Sequence, residues 1–270
     1  MNSVEIAKFI CHQLEKNKEI LKDQFLKSKE SIGFFYLDDL LPEALALEIH
    51  SKFPELEKTV KRKSLREYKF TAYQMDAYDA LLEEVIYAFQ DKNVIELVAE
   101  ICGLKQVFGD EFLYAGGLSL MKKDNFLNPH LDNSHDKERS RWRVLNLLYY
   151  VTPNWSLEHG GNLEIWPRGL KQPQTIIESK FNRLVVMTTH QKSWHSVSKV
   201  QKDAIRCCVS NYYFSEEPLL KSDEFHITTF RGRSSEKVKD VLLQIDNSLR
   251  SGLRKIFKKG VRENPHQYKK

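Results

Sequence analysis

The stretch from Asn128 to Tyr213 constrains this chain more than any other. It opens on His130-Leu131-Asp132 and closes on Trp194-His195-Ser196-Val197, with Arg206 beyond. In a strand, residues two apart point to the same face, so His130 and Asp132 can grip one object together. A second histidine brought in from a distant strand would complete two imidazoles and one carboxylate on one side of a metal. With the opposite positions open, that donor set is the facial triad suited to non-haem iron(II) oxygenases.

The bulk properties fit a folded body around such a site. At 270 residues, 41% apolar and 29% charged, the chain can bury a sizeable core as one large domain, or as one domain with appendages. No apolar run approaches the roughly 18–20 residues of a membrane span. The N-terminus lacks the basic region and apolar block of a secretory signal. Cys11, Cys102, Cys207 and Cys208 show no disulfide framework, and adjacent Cys207 and Cys208 would face opposite sides of a strand. A cytoplasmic setting is therefore expected. The net charge of +5 is unevenly placed: Arg250 to Lys270 carries eight Lys or Arg and one Glu, so the remainder sums to −2. That basic tail can meet nucleic acid, anionic lipid or an acidic partner, or simply be a solvated terminus.

Ile6, Phe9, Ile10, Leu14, Ile20, Leu21 and Phe25 recur at helical spacing and predict an amphipathic first helix, packed rather than membrane-anchored. A short strand is expected at 34–37 and a helix from Asp39 to about Phe53, with Pro42 in its first turn. The charged segment 57–69, with Lys61-Arg62-Lys63, reads as an exposed loop or mobile cover. Helices at 78–89 and 93–102 follow, the second ended by Gly103. From Glu111 the pattern changes to apolar runs cut by turns, with strands expected at 114–122, 128–132, 143–151, 161–166, 174–177, 183–188, 195–199 and 205–214. A last short strand at 225–230 and a helix at 234–257 close the chain. The pattern predicts an α+β fold: a mostly helical support region over 1–105, a β core over 106–215, and a strand, helix and basic tail over 216–270, as one structural domain.

His130-x-Asp132, His195 sixty-three residues after Asp132, and Arg206 eleven further on resemble the iron(II)- and 2-oxoglutarate-dependent dioxygenases, in their prolyl-4-hydroxylase-like branch. Arg143-Val144-Leu145-Asn146-Leu147-Leu148-Tyr149-Tyr150 resembles the strand after the first two ligands. Trp155 with Gly160-Gly161-Asn162-Leu163-Glu164-Ile165-Trp166 resembles the hairpin with a paired glycine and an acidic residue. Phe181-Asn182-Arg183-Leu184-Val185-Val186 resembles the strand leading to the distal histidine. The resemblance implies a double-stranded β-helix (jelly roll) with flanking helices, and His130, Asp132 and His195 as iron ligands. It implies Arg206 on the distal carboxylate of 2-oxoglutarate, a task suited to its planar, permanently charged fork. It also implies dioxygen as co-substrate, release of succinate and carbon dioxide, and hydroxylation of an unactivated C–H bond, with ascorbate able to assist. Asp132 favours hydroxylation, because halogenating relatives lack that carboxylate. Strand alternation puts Cys208, Ser210 and Tyr212 on the face of Arg206, with Ser210 a candidate cosubstrate contact. Met121 stands nine residues before His130, where collagen-type prolyl hydroxylases place a tyrosine, so Tyr149 or another group is expected to take that contact.

Other polar residues carry two readings each. His135 and Asp136 can bind substrate at the barrel mouth or cap a turn. Glu164 can reach a substrate amine or face solvent. Trp142, Trp155, Trp166 and Trp194 can stack on a ring-shaped substrate, with packing or hairpin anchoring the preferred use of most. His159 and His190 read as loop residues. The expected substrate is a small molecule, a saccharide-linked intermediate or a protein side chain. Competing readings are oxidative demethylation of nucleic acid, disfavoured because the charge lies far from the motif, and a jelly-roll binding module without turnover.

Overall fold

The computed structural model describes residues 1–114, 116–256 and 268, so the basic tail lies largely outside the described residues. The expected first helix is two: α1 (Ser3–Lys16) and α2 (Lys18–Ser28). Asn17 separates them with its backbone at φ −106° and ψ 7°, and its side chain bonds back to the Gln13 carbonyl. Asn2 and Glu5 form a reciprocal capping box at the start of α1. β1 (Phe34–Leu37) forms as expected, and α3 (Glu43–Ser51) starts after Pro42.

The expected loop at 57–69 is instead mostly an antiparallel hairpin of β2 (Val60–Lys63) and β3 (Glu67–Ala72). Among the described residues β2 pairs only with β3, so its largely solvated residues need no apolar alternation and leave no strand signal in the sequence. α4 (Ala80–Ala88) and α5 (Lys92–Cys102) are capped by Asp79 and Asp91. Gly103, at φ +64°, ends α5 in the left-handed conformation that glycine adopts without steric cost.

The β region comprises β4 (Val107–Phe108), β5 (Gly117–Met121), β6 (Phe126–Leu131), β7 (Trp142–Tyr150), β8 (Leu163–Ile165), β9 (Thr175–Ile177), β10 (Arg183–Thr188), β11 (His195–Val197) and β12 (Arg206–Ser215). The segment expected as a strand at 225–230 narrows to β13 (Thr229–Phe230), and α6 (Lys237–Ile256) follows. The order β5-β12-β7-β10 makes one sheet and β6-β11-β8-β9 the other, all antiparallel. β3 stitches the two by pairing with β5 at 70–72 and with β6 at 67–68. This is the double-stranded β-helix expected from the sequence.

Alternation sorts each strand between two environments. Leu145, Leu147 and Tyr149 of β7, with Val209 and Tyr213 of β12, pack outward against Ile6, Ile10, Leu82 and Val98 of the helices. Leu148, Tyr150 and Cys208 turn to the other face, where they join Leu163, Ile165, Val185 and Met187. Each fully buried Leu, Ile or Val contributes about 1.5–3 kcal/mol. The helical layer thus stiffens the sheet from behind and leaves its inner face for the site.

Candidate active site

His130 on β6 and His195 on β11 are direct partners across the two strands, and their rings lie 4.0 Å apart between centroids. Asp132, just past the end of β6, sits between them: its Oδ1 is 3.6 Å from His130 Nε2 and its Oδ2 is 3.6 Å from His195 Nε2. One ligand atom from each residue falls within 4.8 Å of the others. His130 Nδ1 lies 3.0 Å from the Asn128 carbonyl and His195 Nδ1 2.9 Å from the Ser193 carbonyl. A carbonyl can only accept, so each Nδ1 carries the proton and each Nε2 lone pair is free to face inward. Burial, with His130 alongside, pulls the His195 pKa down to about 4 against the attraction of Asp132. Burial opposes the Asp132 charge, but the two imidazoles and Arg143 outweigh it and hold the carboxyl well below its usual range. The result is an N2O donor set fit for a divalent metal.

Arg206 lies across the cavity on β12. It is only 3% exposed, yet among the described residues no carboxylate comes within ion-pair reach of it. One terminal nitrogen meets Met121 Sδ at 2.8 Å, the guanidinium lies 5.3 Å from the Tyr150 ring centroid, and Nε has no partner. A buried permanent charge held by a thioether and a ring face is under-compensated, and an anion would repair it. Gly161, at φ +67°, makes room for this arginine: a Cβ there would stand 3.2 Å from Arg206 Cδ. Gly160 is the tighter of the pair: at φ +70°, a Cβ there would collide with the Lys199 carbonyl oxygen.

A cavity of about 100 Å³ joins the two halves of the site. His130, Asp132, His195 and Arg206 all border it, as do Cys208, Ser210 and Tyr212, the three residues that alternation puts beside Arg206. Tyr149 does not. It turns to the helical side, packs on Phe89 at 5.9 Å between centroids and donates its hydroxyl proton to Asn182 Oδ1 at 2.7 Å. The expectation that Tyr149 replaces the missing tyrosine is therefore corrected: its neighbour Tyr150 borders the cavity. Tyr149→Phe should leave the 2-oxoglutarate KM unchanged and cost about 1 kcal/mol of stability from the lost bond to Asn182. Steady-state kinetics and thermal melts check both parts.

Glu164 is also corrected. It neither faces solvent nor borders the cavity: it is buried on the outer side of β8, accepts from Ser196 Oγ at 2.6 Å and pairs with Arg233 at 2.6 Å. Trp166 Nε1 donates to the same Ser196 Oγ at 2.8 Å. This network straps the segment before α6 onto the ligand strand β11. Glu164→Ala leaves Arg233 and Ser196 short of an acceptor in a nearly closed site and should cost about 2–3 kcal/mol, read as a lower melting temperature.

Asp136 accepts from Ser140 N at 2.9 Å and Ser140 Oγ at 2.7 Å, which is the turn-capping role. His135 sits in the bridge to Trp142, with its Nδ1 2.6 Å from the Asp136 carbonyl, and does not border the cavity. Trp142 stacks on Phe225 at 4.0 Å, and Trp155 anchors its hairpin through the Gly160 carbonyl at 2.9 Å. His159 accepts from Ser156 N at 3.0 Å and His190 from Lys192 N at 3.1 Å, both within loops.

Several bordering residues were not anticipated. Asn146 donates to Asp132 Oδ2 at 3.4 Å while its own Oδ1 is buried without a partner. The same alternation that exposes Tyr150 to the cavity could have found it. Thr71, whose buried Oγ1 also lacks a partner, and Lys69 come from β3, the strand the sequence hid. Phe230 stacks on His130 at 5.2 Å and comes from a segment a hundred residues away.

Residues 116–214 match the family model described as the 2OG-Fe(II) oxygenase superfamily. Among solved structures, the chain resembles a prolyl-4-hydroxylase from Pseudomonas putida, with 14% identity, 72% of this chain and 98% of that one covered, and a TM-score of 0.53. It resembles a prolyl 4-hydroxylase from Phytophthora capsici at 14% identity, covering 92% and 78% respectively, with a TM-score of 0.52. The non-heme alpha ketoglutarate dependent epimerase SnoN from nogalamycin biosynthesis aligns at 10% identity over 73% and 84%, with a TM-score of 0.51. No helix among the described residues is long and apolar enough to cross a membrane. Residues 116–214, which carry the triad and Arg206, thus resemble the 2OG-Fe(II) oxygenase superfamily, on a fold shared with these prolyl 4-hydroxylases.

Proposed function

We propose that His130, Asp132 and His195 hold iron(II), that Arg206 pairs with the distal carboxylate of 2-oxoglutarate, and that the enzyme hydroxylates an unactivated C–H bond. The observation that carries this reading is Arg206: a buried guanidinium without an anion, bordering the same cavity as the triad. When bound, iron(II) with 2-oxoglutarate and dioxygen supplies the oxidising chemistry, with succinate and carbon dioxide as by-products.

The chain's own residues do the positioning. The two carbonyls at Asn128 and Ser193 orient the imidazoles, so the metal meets pre-aligned lone pairs. Asp132 offsets part of the metal's charge, and Asn146 fixes the carboxylate's orientation. Arg206 offers a planar fork to a carboxylate, and the Ser210 hydroxyl lies on the same side of β12 to donate to it. Leu148, Tyr150 and Leu163 line the cavity with apolar surface that keeps water from the carboxylate–guanidinium pair.

The substrate is a small molecule, a saccharide-linked intermediate or a protein side chain; the fold neighbours that act as prolyl hydroxylases keep the protein class in view. Screening metabolite and peptide pools for iron-dependent succinate release above the uncoupled rate tests the reading. A single pool should stimulate succinate formation with oxygen incorporated into one component. Stimulation without any iron requirement would sink the proposal.

A further inference from the structure

α6 sits on the body the wrong way round for an ordinary surface helix. Its inward face is polar. Asp240 pairs with Arg231 at 2.7 Å, Asp246 with Arg66 at 2.8 Å, and Asn247 bonds both the nitrogen and the carbonyl of Phe230. Leu243, 1% exposed, is the apolar residue it buries. The opposite face carries Val238, Val241, Leu242, Ile245, Leu249 and Leu253, which are 48–78% exposed. These positions recur at helical spacing and form one stripe about 120° wide, at 100° per residue, along a helix of about 30 Å. Six large aliphatic side chains in one exposed stripe mark an interaction surface rather than scattered surface residues.

Charge selects the partner. Between Lys237 and Ile256 there are five Lys or Arg and two Asp; both aspartates are paired against the body, as are Lys239 with Glu236 and Arg250 with Asp246, so the cations outnumber the acids by three. The sequence then adds Lys258, Lys259, Arg262, Lys269 and Lys270 against Glu263. A second copy docked through this stripe would bring two helices together whose sequences each carry five Lys or Arg against two Asp. Like charges would then meet. An anionic bilayer instead meets the stripe with acyl chains and the flanking cations with headgroups, each cation near the surface being worth about 1 kcal/mol. We propose that the outer face of α6 lies in the interface of an anionic lipid membrane and holds the enzyme at the surface as a peripheral protein. Through Asn247 and Phe230, that places the docked helix one residue behind His130.

Co-sedimentation of the full chain with vesicles tests the assignment. Vesicles of phosphatidylcholine with phosphatidylserine should bind the protein at least about tenfold more tightly than pure phosphatidylcholine, and added salt should weaken that binding. I245D/L249D should abolish binding while leaving iron-dependent succinate formation intact, because both residues are solvent-exposed and neither lines the cavity. I245Q/L249Q, which adds no charge, should weaken binding by about tenfold and guards against a folding artefact, with melting curves as the check. Equal binding to both vesicle types, unchanged binding in I245D/L249D, or no binding at all would overturn the proposal. So would a stable dimer in sedimentation analysis that I245D/L249D converts to monomer, since a second copy would then occupy the stripe.

Discussion

Asp132→Ala should lose iron(II) binding and iron-dependent succinate formation together. The carboxylate is the one anionic member of the triad, and it sits 3.6 Å from both Nε2 atoms. Its removal leaves two imidazoles to hold a dication in a buried pocket with Arg143 nearby. Loss of an outer-shell partner alone typically costs 10–100-fold in metal affinity, so loss of the charged ligand should exceed about 100-fold. His130→Ala should behave similarly, with additional loss of the stacking contact to Phe230. Anaerobic calorimetric titration of iron(II) checks both. An affinity within threefold of the parent for Asp132→Ala would remove the carboxylate from the site.

The second large effect separates metal from cosubstrate. Arg206→Met keeps a long unbranched side chain but deletes the guanidinium, so the 2-oxoglutarate KM should rise by about 100-fold, the worth of a desolvated bidentate carboxylate pair. Iron(II) affinity measured without 2-oxoglutarate should stay the same, because Arg206 is not a member of the triad. The melting temperature of the ligand-free protein should hold or rise, because a buried charge without an ion partner has been replaced by an apolar group. A uniformly destabilised protein with unchanged KM would instead make Arg206 a structural residue. Arg206→Lys should recover part of the affinity but not the planar two-point geometry.

Much of this architecture was legible because it rests on local spacing. His130, His195 and Arg206 lie on strands whose alternation is readable, Asp132 follows β6 directly, and Gly103 marks a helix end by its conformational freedom. What escaped depends on partners distant in sequence. β2 and β3 look like a charged loop because β2 is a solvated edge, while the pairing that orders β3 comes from β5 and β6. Glu164 looks like a strand residue free to face solvent because its cation, Arg233, arrives from 69 residues away. Tyr149 and Tyr150 are equivalent in composition; alternation separates them onto opposite faces, and the register of β7 against β12, which pairs Tyr150 with Cys208, puts Tyr150 on the cavity side. The break at Asn17 was hidden because the apolar residues on either side keep helical spacing through it.

In the proposed function the triad and Arg206 form one site that takes iron(II) and 2-oxoglutarate together. Anaerobic titration of 2-oxoglutarate into the iron-loaded protein tests it most directly. Saturable binding of one 2-oxoglutarate per chain is expected, much weakened in Arg206→Met and in iron-free protein. Binding of equal strength in the parent and in Arg206→Met, or no saturable binding to the iron-loaded parent, would contradict it.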